Sequence, residues 1–128
     1  MSLKLSREWA SKAEEDYQAA LLLSRKRKHP LLNAVCFHGQ QAAEKYLKAY
    51  LTLKKISFPK THDLILLKNS CTKREGDFEL LSDLVISLNP YSVEFRYPGE
   101  QATRRDAKRA SLAVKEIREF VLRKLKRR

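Results

Sequence analysis

Apolar side chains recur every three or four residues along most of the chain, the spacing that places them on one face of an α-helix. In the first segment this spacing links Trp9, Ala13, Tyr17 and Ala20. The same pattern predicts five helices, at approximately residues 7–26, 31–54, 62–71, 78–88 and 103–125. We therefore predict an all-α protein, an antiparallel up-and-down bundle of four to five helices that forms one domain over residues 1–128.

Residues that start and stop helices set the expected boundaries. Ser6 and Thr61 are candidate N-caps of the first and third helices, because their hydroxyls can accept from free backbone N–H groups. Thr103 and Asp106 resemble a capping box at the start of the fifth helix, with Asp in place of the usual Glu or Gln. Pro30 separates the first two helices, since the residue before a proline avoids helical backbone angles.

The composition narrows the class of protein. The 128 residues include 27 Lys and Arg against 15 Asp and Glu, a net charge of +12, and only 3 Gly and 4 Pro. So few turn-forming residues exclude a β-sandwich or barrel. The longest segment without a charged side chain, from Pro30 to Ala43, is too short to span a membrane, and no secretion signal opens the chain. We expect a cytoplasmic protein with no membrane contact, in which Cys36 and Cys71 are reduced, buried thiols.

Basic residues are concentrated in two runs, Arg25–Lys28 and Arg123–Arg128. Such runs attract phosphate groups, which would make the binding of a nucleotide or nucleic acid depend on salt. They can also have a purely structural role, since Lys and Arg near a helix C-terminus stabilise the helix dipole and keep a protein soluble. The charge alone does not decide between these two roles.

The second predicted helix carries a stripe of polar residues beside its apolar face. His38, Gln41, Lys45 and Lys48 are three or four residues apart and therefore lie on one side of the helix. An imidazole, an amide and an ammonium in one row could hold a phosphate and the edge of a base. The alternative is a solvated flank of a bundle helix, with His38 half-buried.

Two further candidates lie outside that helix. His62 is at the predicted start of the third helix, where free backbone N–H groups favour anions, although a capped helix with an exposed histidine gives the same pattern. Arg96 lies in the long connection of residues 89–102, where it either pairs with Glu94 or Glu100 or points at an anionic ligand. Neighbouring aromatic residues could stack on a base or only fix the connection to the bundle.

No motif of a self-sufficient enzyme is present. The sequence has no GxGxxG, no P-loop, no GxSxG and no HExxH. Neither a CxxC pair nor a Cys/His zinc spacing occurs. We therefore assign no catalytic residue, no metal site and no cofactor.

Three motifs follow one another along the chain: FHGQQAAEKYLK at residues 37–48, PKTHDL at residues 59–64 and RYP at residues 96–98. Together with Trp9 and Asp16 in the first predicted helix and the alanine-rich last helix, they resemble the HEPN (higher eukaryotes and prokaryotes nucleotide-binding) domain family. The resemblance implies a bundle of four to five helices that commonly dimerises. It also implies a small prokaryotic protein paired with a minimal nucleotidyltransferase, as in a toxin–antitoxin module.

Many proteins that this chain resembles are metal-independent ribonucleases, whose motif is an Arg, a polar residue, a few further residues and then a His. Arg96 matches the arginine, but Tyr97 stands where a polar residue is expected, and no histidine follows His62. Without that histidine the chain has no obvious general base for the ribose 2′-hydroxyl. The resemblance therefore implies binding of a nucleotide or RNA rather than cleavage.

We accordingly predict a non-catalytic nucleotide- or RNA-binding protein that forms a homodimer and pairs with a minimal nucleotidyltransferase. The predicted binding residues are His38, Gln41, Lys45, His62 and Arg96. One alternative is a metal-independent ribonuclease toxin with a degenerate Arg…His motif. A second alternative is a helical oligomerisation or adaptor module that binds no small ligand.

Overall fold

Five α-helices make up most of the protein, of which a computed structural model describes residues 2–126. The helices are α1 (Ser2–Ser24), α2 (Leu32–Leu53), α3 (Leu64–Arg74), α4 (Ser82–Leu88) and α5 (Arg104–Lys126), with 3₁₀ segments at Gly76–Leu81 and Asn89–Ser92. Residues 2–126 contain no β-strand. The predicted all-α bundle of four to five helices is confirmed.

The bundle is built around α2, which packs against both α1 and α5. Small and apolar residues cover most of the circumference of α2, so this helix can be buried on more than one side. Most of the buried hydrophobic side chains form a continuous core. Its largest fully buried members include Tyr46, Tyr50, Phe78, Leu47 and Leu51. Cys36 and Cys71 are also buried, as predicted, and burial raises the pKa of the Cys36 thiol to about 12.

The first helix begins at Ser2 rather than near Arg7, so the prediction that Ser6 is an N-cap is wrong. Ser6 lies inside the helix and is buried, and its Oγ donates to the backbone carbonyl of Ala49 in α2 at 2.7 Å. A serine hydroxyl favours an N-cap because it bonds to the nearby backbone, but a buried one can bond equally well across a helix pair.

The two other predicted caps have different outcomes. The N-cap of α3 is Asp63, whose Oδ1 accepts from the N–H of Ile65 at 3.0 Å. The predicted cap, Thr61, instead accepts from the N–H of Asp63. The capping box of α5 is confirmed, because Thr103 Oγ1 accepts from the N–H of Asp106 at 3.0 Å and the Asp106 carboxylate accepts from the N–H of Thr103 at 2.9 Å.

The two basic runs have different surroundings. Arg25–Lys28 follows the end of α1 and forms an exposed turn. In the second run Lys124 is buried and paired with carboxylates, whereas Arg123 and Lys126 are exposed. Residues 127–128 of this run lie outside the described residues.

The connection before α5 is held against the start of α2. The N–H of Ala102 donates to the Oδ1 of Asn33, in the first turn of α2, at 2.8 Å. Within the connection the rings of Tyr91 and Phe95 stack, with their centroids 5.7 Å apart. These contacts determine where Arg96 lies relative to α2.

Candidate functional site

Two residues of the predicted polar stripe share one carboxylate of α1. His38 Nδ1 lies 2.8 Å from Asp16 Oδ1, and Lys45 Nζ lies 2.6 Å from Asp16 Oδ2. The spacing of His38 and Lys45 is close to two helical turns, so both side chains can reach the same carboxylate from one side of α2.

The contact with Asp16 fixes the orientation of the His38 ring. Nε2 of His38 has no hydrogen-bond partner among residues 2–126. A neutral His38 that donates from Nδ1 to the carboxylate presents Nε2 as an acceptor, and a protonated one presents it as a donor. The His38 side chain is 32% exposed and that of Asp16 is 14% exposed. The imidazole is therefore accessible to a ligand, with its carboxylate partner behind it.

A second carboxylate cluster lies farther along α2. Glu44, whose side chain is only 4% exposed, lies 2.8 Å from His62 Nδ1 and 2.9 Å from Lys48 Nζ. The Lys48 ammonium also lies 5.2 Å from the ring centroid of Trp9 and 5.8 Å from that of Phe58. A buried carboxylate needs such partners, because burying an unpaired charge is costly. This cluster therefore fixes the loop that carries His62 to the bundle.

Two consecutive glutamines bridge the helix and that loop. Gln41 Nε2 donates to Gln40 Oε1 at 2.7 Å, and Gln40 Nε2 donates to the backbone carbonyl of His62 at 3.0 Å. Gln40 is fully buried, so its amide has to be satisfied within the protein. The Gln41 amide therefore has one of its donors engaged in a structural hydrogen bond.

The charge of Arg96 is not paired with a carboxylate in the described part of the chain. Its Nη2 donates to the backbone carbonyl of Ser92 at 2.7 Å, and the side chain is exposed. Among residues 2–126 no carboxylate pairs with its guanidinium, and Glu100 instead accepts from the N–H of Tyr97. Neither of the ion pairs considered from the sequence, with Glu94 or with Glu100, is present.

Arg96 and His38 line the same open cavity, which has a volume of about 460 Å³ and lies between the start of α2 and the connection to α5. Phe37 and Phe95 contribute aromatic surface to this cavity, and Glu94 also lines it. A guanidinium, an imidazole and two aromatic rings at one cavity are groups that can bind a phosphate and stack on a base. We refer to this concavity as the Arg96 cavity.

The five predicted binding residues fall into separate groups. His38 and Arg96 line the Arg96 cavity, and Lys45 contacts the same carboxylate as His38. Gln41 and His62 belong to the hydrogen-bonded network around Gln40 and Glu44 and do not line this cavity.

The two carboxylates that organise the region, Asp16 and Glu44, were not among the predicted binding residues. Both lie in segments that carry the family resemblance, and that resemblance was the signal that could have pointed to them. Phe37, which begins the FHGQQ motif and is 40% exposed, was also not among the predicted binding residues. Which carboxylate meets which cation depends on how α1 is rotated against α2, and hydrophobic periodicity does not define that rotation.

The bundle and the order of the three motifs along it define a HEPN-type helical protein. The family model of the HEPN domain matches residues 6–125, and the chain belongs to the HEPN family. Its fold is similar to that in the crystal structure of an archaeal HEPN homologue, with a TM-score of 0.73 at 20% sequence identity over 94% of this chain and 97% of that one. No curated protein matches the sequence. Among the described helices, none has the length and apolar character needed to cross a membrane.

Proposed function

We propose that the protein binds a nucleotide, free or within RNA, in the Arg96 cavity. The observation that carries this proposal is that the unneutralised guanidinium of Arg96 and the open ring edge of His38 line one cavity together with two aromatic side chains. Arginine presents a planar fork of donors that matches phosphate oxygens. Phe37 and Phe95 supply faces on which a base can stack.

In this proposal the remaining predicted residues act from behind the cavity. Asp16 holds the His38 ring, and Lys45 balances the charge of that carboxylate. Gln41 and His62 belong to the contacts that hold the loop before α3 against α2. Their substitution should weaken binding less than that of Arg96, because they support the ligand contacts instead of making them.

A titration tests this assignment. Each of the ribonucleoside triphosphates is titrated into wild type, Arg96→Ala and His38→Ala by calorimetry, with Lys73→Ala as a control that removes an exposed cation of α3. We expect Arg96→Ala to bind at least about tenfold more weakly, since a charge-assisted hydrogen bond contributes roughly 1.5–3 kcal/mol. Equal affinity of Arg96→Ala and wild type would show that the nucleotide does not bind in the Arg96 cavity.

A ribonuclease activity is the second candidate, and one observation favours it. The histidine that the family motif places after the arginine is absent, but His38 lies at the Arg96 cavity with its Nδ1 held by Asp16. A histidine oriented in this way can act as a general base. Incubation of cellular RNA with the protein in EDTA tests the idea. Cleavage that is lost in both His38→Ala and Arg96→Ala supports it, and intact RNA contradicts it.

Membership of the HEPN family supports a further part of the proposal. We expect a cytoplasmic homodimer, folded as one domain, that pairs with a minimal nucleotidyltransferase in a toxin–antitoxin-like module. A neighbouring reading frame that encodes such an enzyme, and co-purification of the two proteins, are the expected observations. Light scattering that gives the mass of a monomer at all concentrations would contradict the dimer.

A further inference from the structure

Four cations occupy the first two turns of α5, at the end of the helix where positive charge is least favourable. They are Arg104, Arg105, Lys108 and Arg109, and all four are exposed. The free N–H groups of a helix N-terminus already carry a partial positive charge, so these side chains oppose the helix dipole. Among residues 2–126 none of the four forms an ion pair, and the nearby Asp106 carboxylate caps the helix. The arrangement therefore has no evident benefit for folding.

The turn after α1 adds one cation to the surface that carries Arg104 and Lys108. Lys26 lines a cavity of about 310 Å³ together with Arg104 and Lys108. The Oγ of Ser111, another residue of this cavity, is buried and has no hydrogen-bond partner among residues 2–126. We call the turn Arg25–Lys28 and the four cations at the start of α5 together the basic end; Lys26, Arg104 and Lys108 are its members that line this cavity.

The basic end continues into the Arg96 cavity. A shallow depression of about 260 Å³ at the start of α2 lies between them, lined by residues 30–34 and Gln101. It shares Leu32 with the cavity at the basic end, and it shares Asn33 and Ala34 with the Arg96 cavity. Three concave surfaces thus adjoin one another around the first turn of α2.

We propose that the basic end binds the backbone phosphates of a single-stranded nucleic acid, one nucleotide of which occupies the Arg96 cavity. The inference rests on the proposed function of that cavity and adds that the ligand is a polynucleotide. Its strand crosses the start of α2 and continues along Arg104 and Lys108. A mononucleotide reaches only the Arg96 cavity and leaves the cations of the basic end without an anionic partner among residues 2–126.

Charge and shape together favour a strand over an anionic lipid surface. Lys26, Arg104 and Lys108 line a concave surface that is linked, through the depression at the start of α2, to a cavity with aromatic walls. A nucleic-acid strand can follow such a path, with phosphates on the cations and a base on the aromatic rings. A lipid surface is flat and would contact the protruding cations without using the cavity.

The test compares two variants with equal loss of charge. In the basic-end variant Arg104, Arg105, Lys108 and Arg109 are replaced by Gln. In the control variant four exposed cations elsewhere are replaced by Gln, namely Lys4, Lys12, Lys73 and Arg123. Both are compared with wild type for a fluorescent mixed-sequence oligoribonucleotide of roughly ten nucleotides, a common site size for single-strand binding.

We expect wild type to bind the oligoribonucleotide more tightly than a triphosphate, and the basic-end variant to lose about tenfold or more at low salt. Its salt slope should also be shallower, by about 0.7 for each phosphate contact removed. The control variant should stay within about threefold of wild type. The basic-end variant should keep the wild-type affinity for triphosphates and a wild-type or higher Tm, because it removes charge that opposes the helix dipole.

The possible failures can be told apart. If wild type binds triphosphates through Arg96 but binds the oligoribonucleotide no more tightly, or if both variants lose affinity equally, the basic end is not a binding surface and the cavity assignment survives. If oligoribonucleotide binding needs the basic end but not Arg96, the continuous path is wrong. Binding of vesicles containing anionic lipid that is lost only in the basic-end variant, with oligoribonucleotide binding unchanged, would assign the surface to membranes instead.

Discussion

Two sets of cations on α5, one in its C-terminal half and one at its N-terminus, differ in whether they are paired with carboxylates. Towards the C-terminus, Arg118 donates to both oxygens of Glu14 at 2.6 and 3.2 Å, and Lys124 lies 2.8 Å from Glu75 and 2.5 Å from Asp77. At the N-terminus the cations of the basic end form no ion pair among residues 2–126. The first set links α5 to other parts of the bundle, and the second set is exposed to solvent.

The pKa values of the paired groups reflect this difference. Hydrogen bonds to Asp77 and Glu75 raise the pKa of Lys124. The hydrogen bond from Lys124 lowers the pKa of Glu75, with a further contribution from the Tyr50 hydroxyl. Burial by itself raises the pKa of Glu14, but the hydrogen bonds from Arg118 and Tyr46 outweigh it, so the pKa is lower than that of an ordinary glutamate.

The largest effect is expected from removing a paired cation. Lys124→Ala leaves Glu75 and Asp77 without their shared partner and should lower the free energy of unfolding by roughly 2 kcal/mol. This is less than the cost of breaking a fully buried pair, because both carboxylates are partly exposed. Lys108→Ala, at the basic end, is the matched control and should change stability by less than about 0.5 kcal/mol. Urea denaturation measures both, and similar losses in the two variants would abolish the distinction between the ends of α5.

The second-largest effect is expected when the pH is lowered, because the carboxylates paired with Arg118 and Lys124 then lose their charge. Glu14 and Glu75 have pKa values lower in the folded protein than the value of about 4.3 expected when unfolded. Their contribution to stability is therefore complete above that unfolded value and is lost as the pH falls through the folded pKa values. Urea melts from pH 6 down to pH 3 should show this loss. The double variant Arg118→Ala, Lys124→Ala should show a smaller one, and a loss as large as that of wild type would contradict the assignment.

A smaller effect is expected from the hydroxyl that supports the Glu75 cluster. Tyr50 is fully buried in the core, and its hydroxyl donates to Glu75 Oε1 at 2.5 Å. Tyr50→Phe keeps the ring packed against Phe78 but removes this bond, so the free energy of unfolding should fall by about 1 kcal/mol. Thermal denaturation by circular dichroism measures the change. A variant as stable as wild type would show that the contact with Lys124 alone is sufficient to stabilise the Glu75 carboxylate.

The smallest effects should differ in sign between the ends. Arg105→Gln removes a cation from the positive end of the helix dipole and should raise stability by about 0.3 kcal/mol, whereas Arg123→Gln removes one from the negative end and should lower it by a similar amount. Both side chains are exposed, so packing is little changed. Differential scanning calorimetry at low salt resolves the sign, and shifts in the same direction would rule out the dipole as the cause.

Local signals in the sequence were sufficient for the helices but not for all of their ends. The α5 capping box was predictable because Thr103 and Asp106 bond only to each other's backbone. Ser6 was misassigned because its hydroxyl bonds to Ala49, a residue far away in the chain. A local rule cannot distinguish a serine that caps its own helix from one that joins two helices.

In the candidate site, too, the residue types were predictable from the sequence, but their contacts with distant segments were not. The sequence identified the types of residue, including His38 and Arg96, and their positions on a helix and a connection. It could not tell that Arg96 and His38 line one cavity while His62 contacts Glu44 elsewhere. Those neighbours are set by the hydrogen bond between Ala102 and Asn33, which positions the connection, and by the packing of α1 on α2.

The sequence by itself determined the helical class, the order of the helices, the family and the excess of positive charge. Each of these depends on composition or on residues a few positions apart, and the physical rules that govern them act over one or two helical turns. The tertiary structure decided which cations are neutralised and which are not. Lys124 and Lys108 both lie on α5, but only Lys124 faces Glu75 and Asp77 when the helices pack. Coulombic pairing depends on distances of a few ångströms between segments far apart in the chain, and only the fold sets those distances.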